Sequence, residues 1–496
     1  MTSSHRLFAT ARRLPRSFGI VPLAIVLLAL AGCRAGADHA AAEAADPVSG
    51  TDVAATPLDE YVATPDPAYR WEPVSRVEND GFETHVLHMT SQRWLSEAEV
   101  DRPLWEHWLT VVVPAEVSSD VAMLYIGGGD NEDDPPERPN PALAEAAVRA
   151  RAITAELRMV PNQPITFTGD DYGPRVEDEL IAYGWRRFLE GGAKDPIWLA
   201  RLPMTKAAVR ALDTVTAFAA TEAGGNAQVG RFVVAGGSKR GWTTWTTAAV
   251  DDRVVAIVPI VIDLLNVVPS FEHHYRAYGF YAPAVGDYER EGIMEWQDTP
   301  EYRRLVEITE PFSYRHRLDL PKLIMNATGD QFFLPDSSQF YFDQLMGEKH
   351  LRYVPNSEHS MRDTDAQESL IAFFHAIVED FPRPEVNWTR DRERMVVTAS
   401  ATPTAVLLWQ AENPETRDFR VDTIGRSWSS SPLVAGEDGS WTAEVATPAS
   451  GWRAFFVELT FDAPGELPLK LTTGIEVVPD SLPFEAPEPA RAVAGG

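Results

Sequence analysis

The chain has 496 residues, 44% of them hydrophobic and 24% charged: a globular composition spread over more length than one ordinary core fills, so two or three domains are expected. A formal net charge of −29 argues against a nucleic-acid partner, which this surface would repel, and serves solubility instead. The one cysteine, Cys33, excludes an intramolecular disulfide and a thiolate metal cluster.

In chain order, Arg12, Arg13 and Arg16 precede the apolar run FGIVPLAIVLLAL (18–30), which leads into Ala31-Gly32-Cys33. This is a basic region, a hydrophobic region and small residues before a cleavage point. The run is too short for a membrane span. Leu30-Ala31-Gly32-Cys33 resembles a bacterial lipobox, in which the cysteine carries lipid and becomes the mature N-terminus. Residues 1–32 are therefore expected to be a lipoprotein-type signal peptide, with Cys33 as the membrane anchor; a plain signal peptide beside an incidental cysteine is the alternative. The protein is expected in the cell envelope (periplasm or outer membrane) or secreted. Residues 33–70, rich in Ala, Asp, Thr and Pro without periodicity, read as a flexible tether.

From Trp71 the texture changes. HVLHMTSQRW (85–94), WLTVVVPAEV (108–117) and VAMLYIGGGD (121–130) read as strands. Residues 140–155 read as a helix with Leu143, Ala147 and Ala150 on one side. Another helix begins at Thr205, with Val209, Leu212, Val215 and Phe218 spaced for burial. Arg231–Val234 is a β-branched and aromatic run; after AGGSKRGW (235–242), Trp242, Trp245 and Ala249 fall near helical spacing. Three more apolar runs end in polar residues, at 254–263, 322–330 and 351–360. Apolar strands alternating with helices predict a mostly parallel sheet covered on both faces over 71–382. Proline-punctuated EDFPRPE (379–385) marks a boundary. Beyond it, five β-rich runs predict an all-β sandwich of immunoglobulin size over 383–480, and 481–496 reads as a loose tail.

The turn at 235–242 carries Ser238 between a strand and a helix, where an α/β-hydrolase places its nucleophile. The other parts follow in the order that fold requires. Gly127-Gly128-Gly129-Asp130 ends an earlier strand, Asp330 lies 92 residues after Ser238, and His359 follows 29 residues later. A serine hydroxyl is a weak nucleophile at neutral pH, so His359 is expected to take its proton. Asp330 would hold the imidazole tautomer and stabilise the imidazolium. Oxyanion donors are expected from the Lys239 backbone N–H and from Gly128 or Gly129. One departure stands out: Arg240 occupies the position of the second glycine of G-x-S-x-G, and the glycine shifts to Gly241. Either the helix packs farther from the sheet or Arg240 turns outward. Lys239 and Arg240 would aid an oxyanion, bind an acidic substrate group, or simply pair with nearby carboxylates.

Asp263 is a competing acid, ending the preceding strand. Glu358 is unsuited, since adjacent side chains diverge. His273 and His274 lack metal-ligand spacing and, with Tyr275, are either structural or substrate-facing. His316 reads as structural. The aromatic segment Tyr275–Tyr288 would line a cleft or cap the domain, as insertions at this place often do. The acidic loop Asp130–Asp134 lacks the EF-hand pattern and reads as solvated. No metal and no cofactor are expected.

Long strings go further. Residues 238–267 (SKRGWTTWTTAAVDDRVVAIVPIVIDLLNV), HHYRAYGFYAPA, KLIMNATGDQFFLPDSSQFYFDQL and LRYVPNSEHS resemble the PhoPQ-activated pathogenicity-related protein family. The resemblance runs through most of residues 60–480 and includes VPNQPITF (160–167) and RLPMTKAAVRALDTV (201–215). It implies an exported protein with a hydrolase-type domain and a β-rich C-terminal part, and names no substrate. The shifted elbow is also similar to the G-C-S-R-x-G motif of glucuronoyl esterases, with Gly237 for the cysteine and Lys239 for the arginine. The expectation is an exported serine esterase working through an acyl-enzyme on a small-molecule or peptide substrate. A prolyl-oligopeptidase-like peptidase and a non-catalytic envelope binding or signalling protein on the same scaffold are the alternatives.

Overall fold

The computed structural model describes residues 55–391 and 393–487; the expected signal peptide, Cys33 and residues 488–496 lie outside the described residues. The sheet begins with β1 (Arg70–Asn79), β2 (Phe82–Arg93), β3 (Leu104–Pro114), β4 (Val121–Ile126), β5 (Thr154–Leu157), β6 (Arg231–Gly237), β7 (Val254–Ile260), β8 (Lys322–Ala327) and β9 (Lys349–Val354). Their spatial order is β1-β2-β3-β5-β4-β6-β7-β8-β9. The first three strands and the β3–β5 pair run antiparallel, and every pair from β5 to β9 is parallel. The parallel strands are buried along nearly their whole length, which is why they read as unbroken apolar runs.

Helices α1 (Pro57–Ala63), α2 (Pro141–Ala150), α3 (Glu177–Glu190), α4 (Arg201–Ala219), α5 (Lys239–Val250), α6 (Val267–Tyr278), α7 (Gly286–Arg290), α8 (Pro300–Thr309) and α9 (Ala366–Val378) cover the sheet. Leu212, Val215, Trp242 and Trp245 of α4 and α5 pack on one face, against Leu124, Val234 and Ile257. Leu143, Ala146, Leu370 and Phe374 of α2 and α9 pack on the other, against Met123, Val233 and Val258. Helices α6, α7 and α8 form an insertion between β7 and β8.

Several boundaries differ from the sequence reading. The helix expected to reach Ala155 stops at Ala150, where Arg151 takes φ +48°, and Thr154–Leu157 is a strand. Four residues are too few for period-two alternation to show. The expected tether is ordered by Pro57, where α1 begins: it is N-capped by Thr56, buries Leu58 and Val62, and holds Arg317 through Asp59 at 2.8 Å. The start of the expected loose tail is packed. Phe484 N–H donates to Arg276 O at 3.1 Å, and its ring lies over Gly279, where φ is +78° and no Cβ would fit beneath it.

The C-terminal strands are β10 (Val386–Asp391), β11 (Arg394–Ala399), β12 (Ala405–Asn413), β13 (Ser429–Pro432), β14 (Trp441–Glu444), β15 (Trp452–Phe461), β16 (Leu469–Thr472) and β17 (Glu476–Val478). Strands β10-β11-β14 form a separate sheet, whose Val397 and Ala443 share one apolar cluster with Leu408, Phe455 and Val457 of β12 and β15. Two facing β layers are therefore present, as a sandwich requires. One of them is not separate, however: β16 pairs with β9 at Thr472↔Leu351, and the central sheet continues through β16-β15-β12-β13, with β17 also on β15. The join saturates the otherwise open edge of β9. Beneath it, Arg352 of β9, fully buried, donates to Glu458 of β15 at 2.5 Å and to Asp365 at 2.7 Å.

Candidate functional site

Ser238 lies between β6 and α5 with φ +57° and ψ −126°. A non-glycine residue there costs about 1–3 kcal/mol and persists only where the surroundings fix it. Here the Ser238 N–H donates to Ile260 O at 2.7 Å, and its carbonyl accepts from Trp242 N at 3.0 Å. Close approach of the helix start to the sheet needs two glycines. A Cβ on Gly236 would stand 2.8 Å from Arg240 O; one on Gly241 would stand 2.9 Å from Gly236 O and 3.0 Å from Ile260 O. Gly237 has no such neighbour. The glycine displaced to Gly241 thus keeps the helix close, and Arg240 does not turn outward. Its guanidinium lies over Gly128, donating from Nε to Val160 O at 2.6 Å and from Nη2 to Glu177 Oε1 at 2.5 Å.

The β4–β6 register pairs Ile126 with Gly236, and continuing it by two residues brings Gly128 level with Ser238. Among the described residues, the backbone N–H groups of Gly128, Gly129 and Lys239 donate to no protein acceptor. They are available to a ligand oxygen. The neighbouring carbonyls are held, Gly127 O by Val160 N at 3.2 Å and Gly128 O by Met159 N at 3.0 Å.

Asp330 follows β8 and His359 follows β9. Those loops are stitched together by Thr328 N to Val354 O at 3.2 Å and Gly329 N to Ser357 O at 3.0 Å. His359 Nδ1 donates to both Asp330 oxygens, at 3.0 and 2.8 Å, and His359 N donates to Gln331 Oε1 at 3.0 Å. Asp330 is 4% exposed and His359 19%, so the carboxylate is shut in while the imidazole keeps some contact with solvent. The Phe332 ring packs against the His359 ring, tilted by 38° with centroids 4.2 Å apart, and also lines a cavity with Ser238, so it joins the two halves of the site. No hydrogen bond links Ser238 Oγ to His359 Nε2.

Asp263 is elsewhere engaged. Its two oxygens accept from Tyr341 and Tyr353, each at 2.6 Å, and burial pushes its carboxyl up to about 8. Glu358 accepts from Ser360 at 2.6 Å. His273, His274 and Tyr275 are not brought to the cavity. His273 Nε2 meets Asp336 at 3.0 Å beside Arg417. His274 Nε2 accepts from Ala282 N at 2.9 Å, and burial pushes its pKa down to about 3, so it is neutral. Tyr275 packs on Tyr281. From the aromatic insertion, Val285 and Tyr288 line the cavity instead. Asp133 of the acidic loop pairs with Arg158, and His316 is exposed.

Sequence reasoning missed the residues that hold the two cations of the elbow. Lys239 Nζ pairs with Glu177 at 2.7 Å and with Asp178 at 2.9 Å, both at the start of α3. Burial disfavours the charge on Glu177, but Lys239 and Arg240 outweigh it and hold its carboxyl at about 2. Arg201 of α4 was missed as well. It donates to Lys239 O at 2.9 Å, and its guanidinium stacks 4.6 Å from the Trp242 ring. The acidic start of α3 looks like any helix N-terminus, and Arg201 like any helix-face arginine. The C-terminal β region also reaches the site: Val421 N donates to Gly329 O at 3.0 Å, and Asn356 exchanges two 2.9 Å hydrogen bonds with the Trp428 backbone.

A curated relative, autocrine proliferation repressor protein A of Dictyostelium discoideum, is 37% identical over 458 residues, covering 86% of this chain and 92% of its own. Solved structures give weaker likenesses. An acetyl xylan esterase from Paenibacillus sp. R4 is 16% identical, with TM-score 0.45 over 64% of this chain and 92% of that one. A glucuronoyl esterase from Solibacter usitatus is 14% identical, with TM-score 0.38 over 64% and 91%. The model of one family matches residues 58–420, and the chain belongs to it: the PhoPQ-activated pathogenicity-related proteins.

Proposed function

We propose that this protein is an exported serine hydrolase that cleaves esters through an acyl-enzyme formed on Ser238. The observation that carries the reading is the strained Ser238 lining a cavity, whose wall residue Phe332 also packs on a hydrogen-bonded His359–Asp330 pair. The reading requires Oγ to come within hydrogen-bond reach of Nε2, and such bonds commonly tighten only when substrate binds.

In the reaction, Ser238 Oγ attacks the ester carbonyl while His359 Nε2 takes its proton, with Asp330 holding the opposite nitrogen and stabilising the imidazolium. The oxyanion meets the free N–H groups of Lys239 and the Gly128–Gly129 loop. His359 returns the proton to the departing alkoxide as the C–O bond breaks. Water then repeats the attack on the acyl-enzyme, releasing acid and free serine. Alcohols leave more readily than amines, which favours an ester over a peptide bond. Export and anchoring through Cys33 belong to the same reading and rest on the sequence alone.

The relative's name, a proliferation repressor, favours a second reading: a signalling factor on a hydrolase scaffold. One experiment separates the two. The purified mature protein, beside Ser238→Ala, is treated with a fluorophosphonate probe. Labelling of wild type alone is expected; a folded wild type that stays unlabelled overturns the hydrolase reading in favour of the signalling one.

A further inference from the structure

The cavity beside Ser238 is walled mainly by apolar and aromatic groups, among them Trp242, Ile262, Val267, Phe271 and Phe333. Its volume is about 40 Å³, room for a few water-sized groups. That suits a short acyl chain. Its charged lining consists of Arg201, Lys239 and Asp178. Lys239 is satisfied by Glu177 and Asp178; Asp178 in turn is taken by Lys239 and by the Tyr288 hydroxyl at 2.9 Å.

Arg201 is different. It is 4% exposed, and among the described residues no carboxylate lies within ion-pair distance of it, Asp178 on the same wall favouring its charge only from farther off. One Nη1–H reaches Lys239 O, the Tyr288 hydroxyl adjoins it, and Nε is buried with no acceptor. A guanidinium stays charged at any ordinary pH, and an unmatched buried cation is costly. Burial pulls its pKa down from the ordinary value, against Tyr288 and Asp178, which favour the charge. Buried polar atoms are nearly always satisfied, so an unmet N–H on a cation whose side chain lines a cavity and has no close carboxylate points to a missing acceptor. The acceptor would sit within the cavity that Arg201 shares with the attacking serine.

On the hydrolase reading above, we propose that the acyl group cleaved from Ser238 is short and ends in a carboxylate, which Arg201 binds while the apolar walls hold its methylene stem. The substrate class is thus a monoester of a small dicarboxylic acid. Bidentate binding of carboxylate by arginine supplies both charge and direction, and a neutral acyl group of equal length leaves the cation unmatched. Arg201 would then select the acyl group, while its bond to Lys239 O holds the elbow.

The test compares ethyl hydrogen succinate with ethyl butyrate, following product by proton NMR. Wild type is expected to show kcat/KM at least about tenfold higher for the succinate ester, the worth of one charge-assisted contact. In Arg201→Met the ratio falls toward one, and in Arg201→Lys part of it returns. Because Arg201 also braces the elbow, wild type is read alone as well, with succinate expected to protect Ser238 from the fluorophosphonate at concentrations where butyrate does not. Labelling of Ser238 together with equal or better use of the butyrate ester overturns the dicarboxylate assignment and leaves the hydrolase reading standing. If Ser238 does not label, the hydrolase reading falls, and thermal melts decide the cation site by itself. Stabilisation by succinate over butyrate keeps it; equal melts remove it.

Discussion

Asp263 shows how far one carboxyl departs from its ordinary behaviour when it is shut between two tyrosines. Its folded pKa is raised from 3.8 to about 8 by burial, against the hydrogen bonds from Tyr341 and Tyr353. Between those values the folded chain keeps a proton that the unfolded chain has released. Stability from this group is complete below the unfolded value, declines as pH rises toward about 8, and is level above it. Glu310, buried against the start of α6 and raised to about 8, has the same sign. Relative to Asp263→Asn, the melting temperature of wild type should therefore fall between about pH 5 and about pH 8. Parallel slopes for the two proteins would contradict this. At this scale, the sequence already ordered Ser238, Asp330 and His359 along the chain and put each after a strand. It could not tell that Asp263 is claimed by tyrosines 78 and 90 residues away, because such partners meet only in the fold.

The start of α5 shows what an element demands of its residues. The elbow uses Gly241 rather than the residue before it, so Gly241→Ala must move either Gly236 O or Ile260 O. Overpacking of this kind costs about 1–3 kcal/mol. Gly237→Ala, whose new methyl meets nothing nearer than Val261 Cγ2 at 3.9 Å, should change stability by less than about 0.5 kcal/mol. Urea unfolding of the two variants checks the contrast; equal losses would mean that the shifted glycine is incidental. Helices and long strands were legible because their burial repeats over many residues, as in α4 and β15. The short β5 was absorbed into the end of α2, since a few apolar residues fit either period.

Across the whole molecule, strand identities in the C-terminal region were legible but their neighbours were not. Nothing local in LKLTTG says that it lies beside LRYVPN, yet β16 and β9 are adjacent and Arg352 crosses beneath them to Glu458. The two regions should accordingly unfold together. Calorimetry of the mature protein is expected to give one transition, and Arg352→Met, which strands the buried Glu458 carboxylate, should destabilise it by about 3–5 kcal/mol. Two separate transitions, with only one of them shifted, would sink that expectation.

The contacts of Val421 with Gly329 and of Trp428 with Asn356 also set a chronology. A ribosome builds the chain from the N-terminus, so the Ser238 elbow emerges long before the residues that brace the aspartate and histidine loops. Strand β15, which carries the bracing segment's sheet, comes later still. A nascent chain therefore holds every chemical group of the candidate site without the frame that aligns them. That frame is complete only once the last strands have left the ribosome.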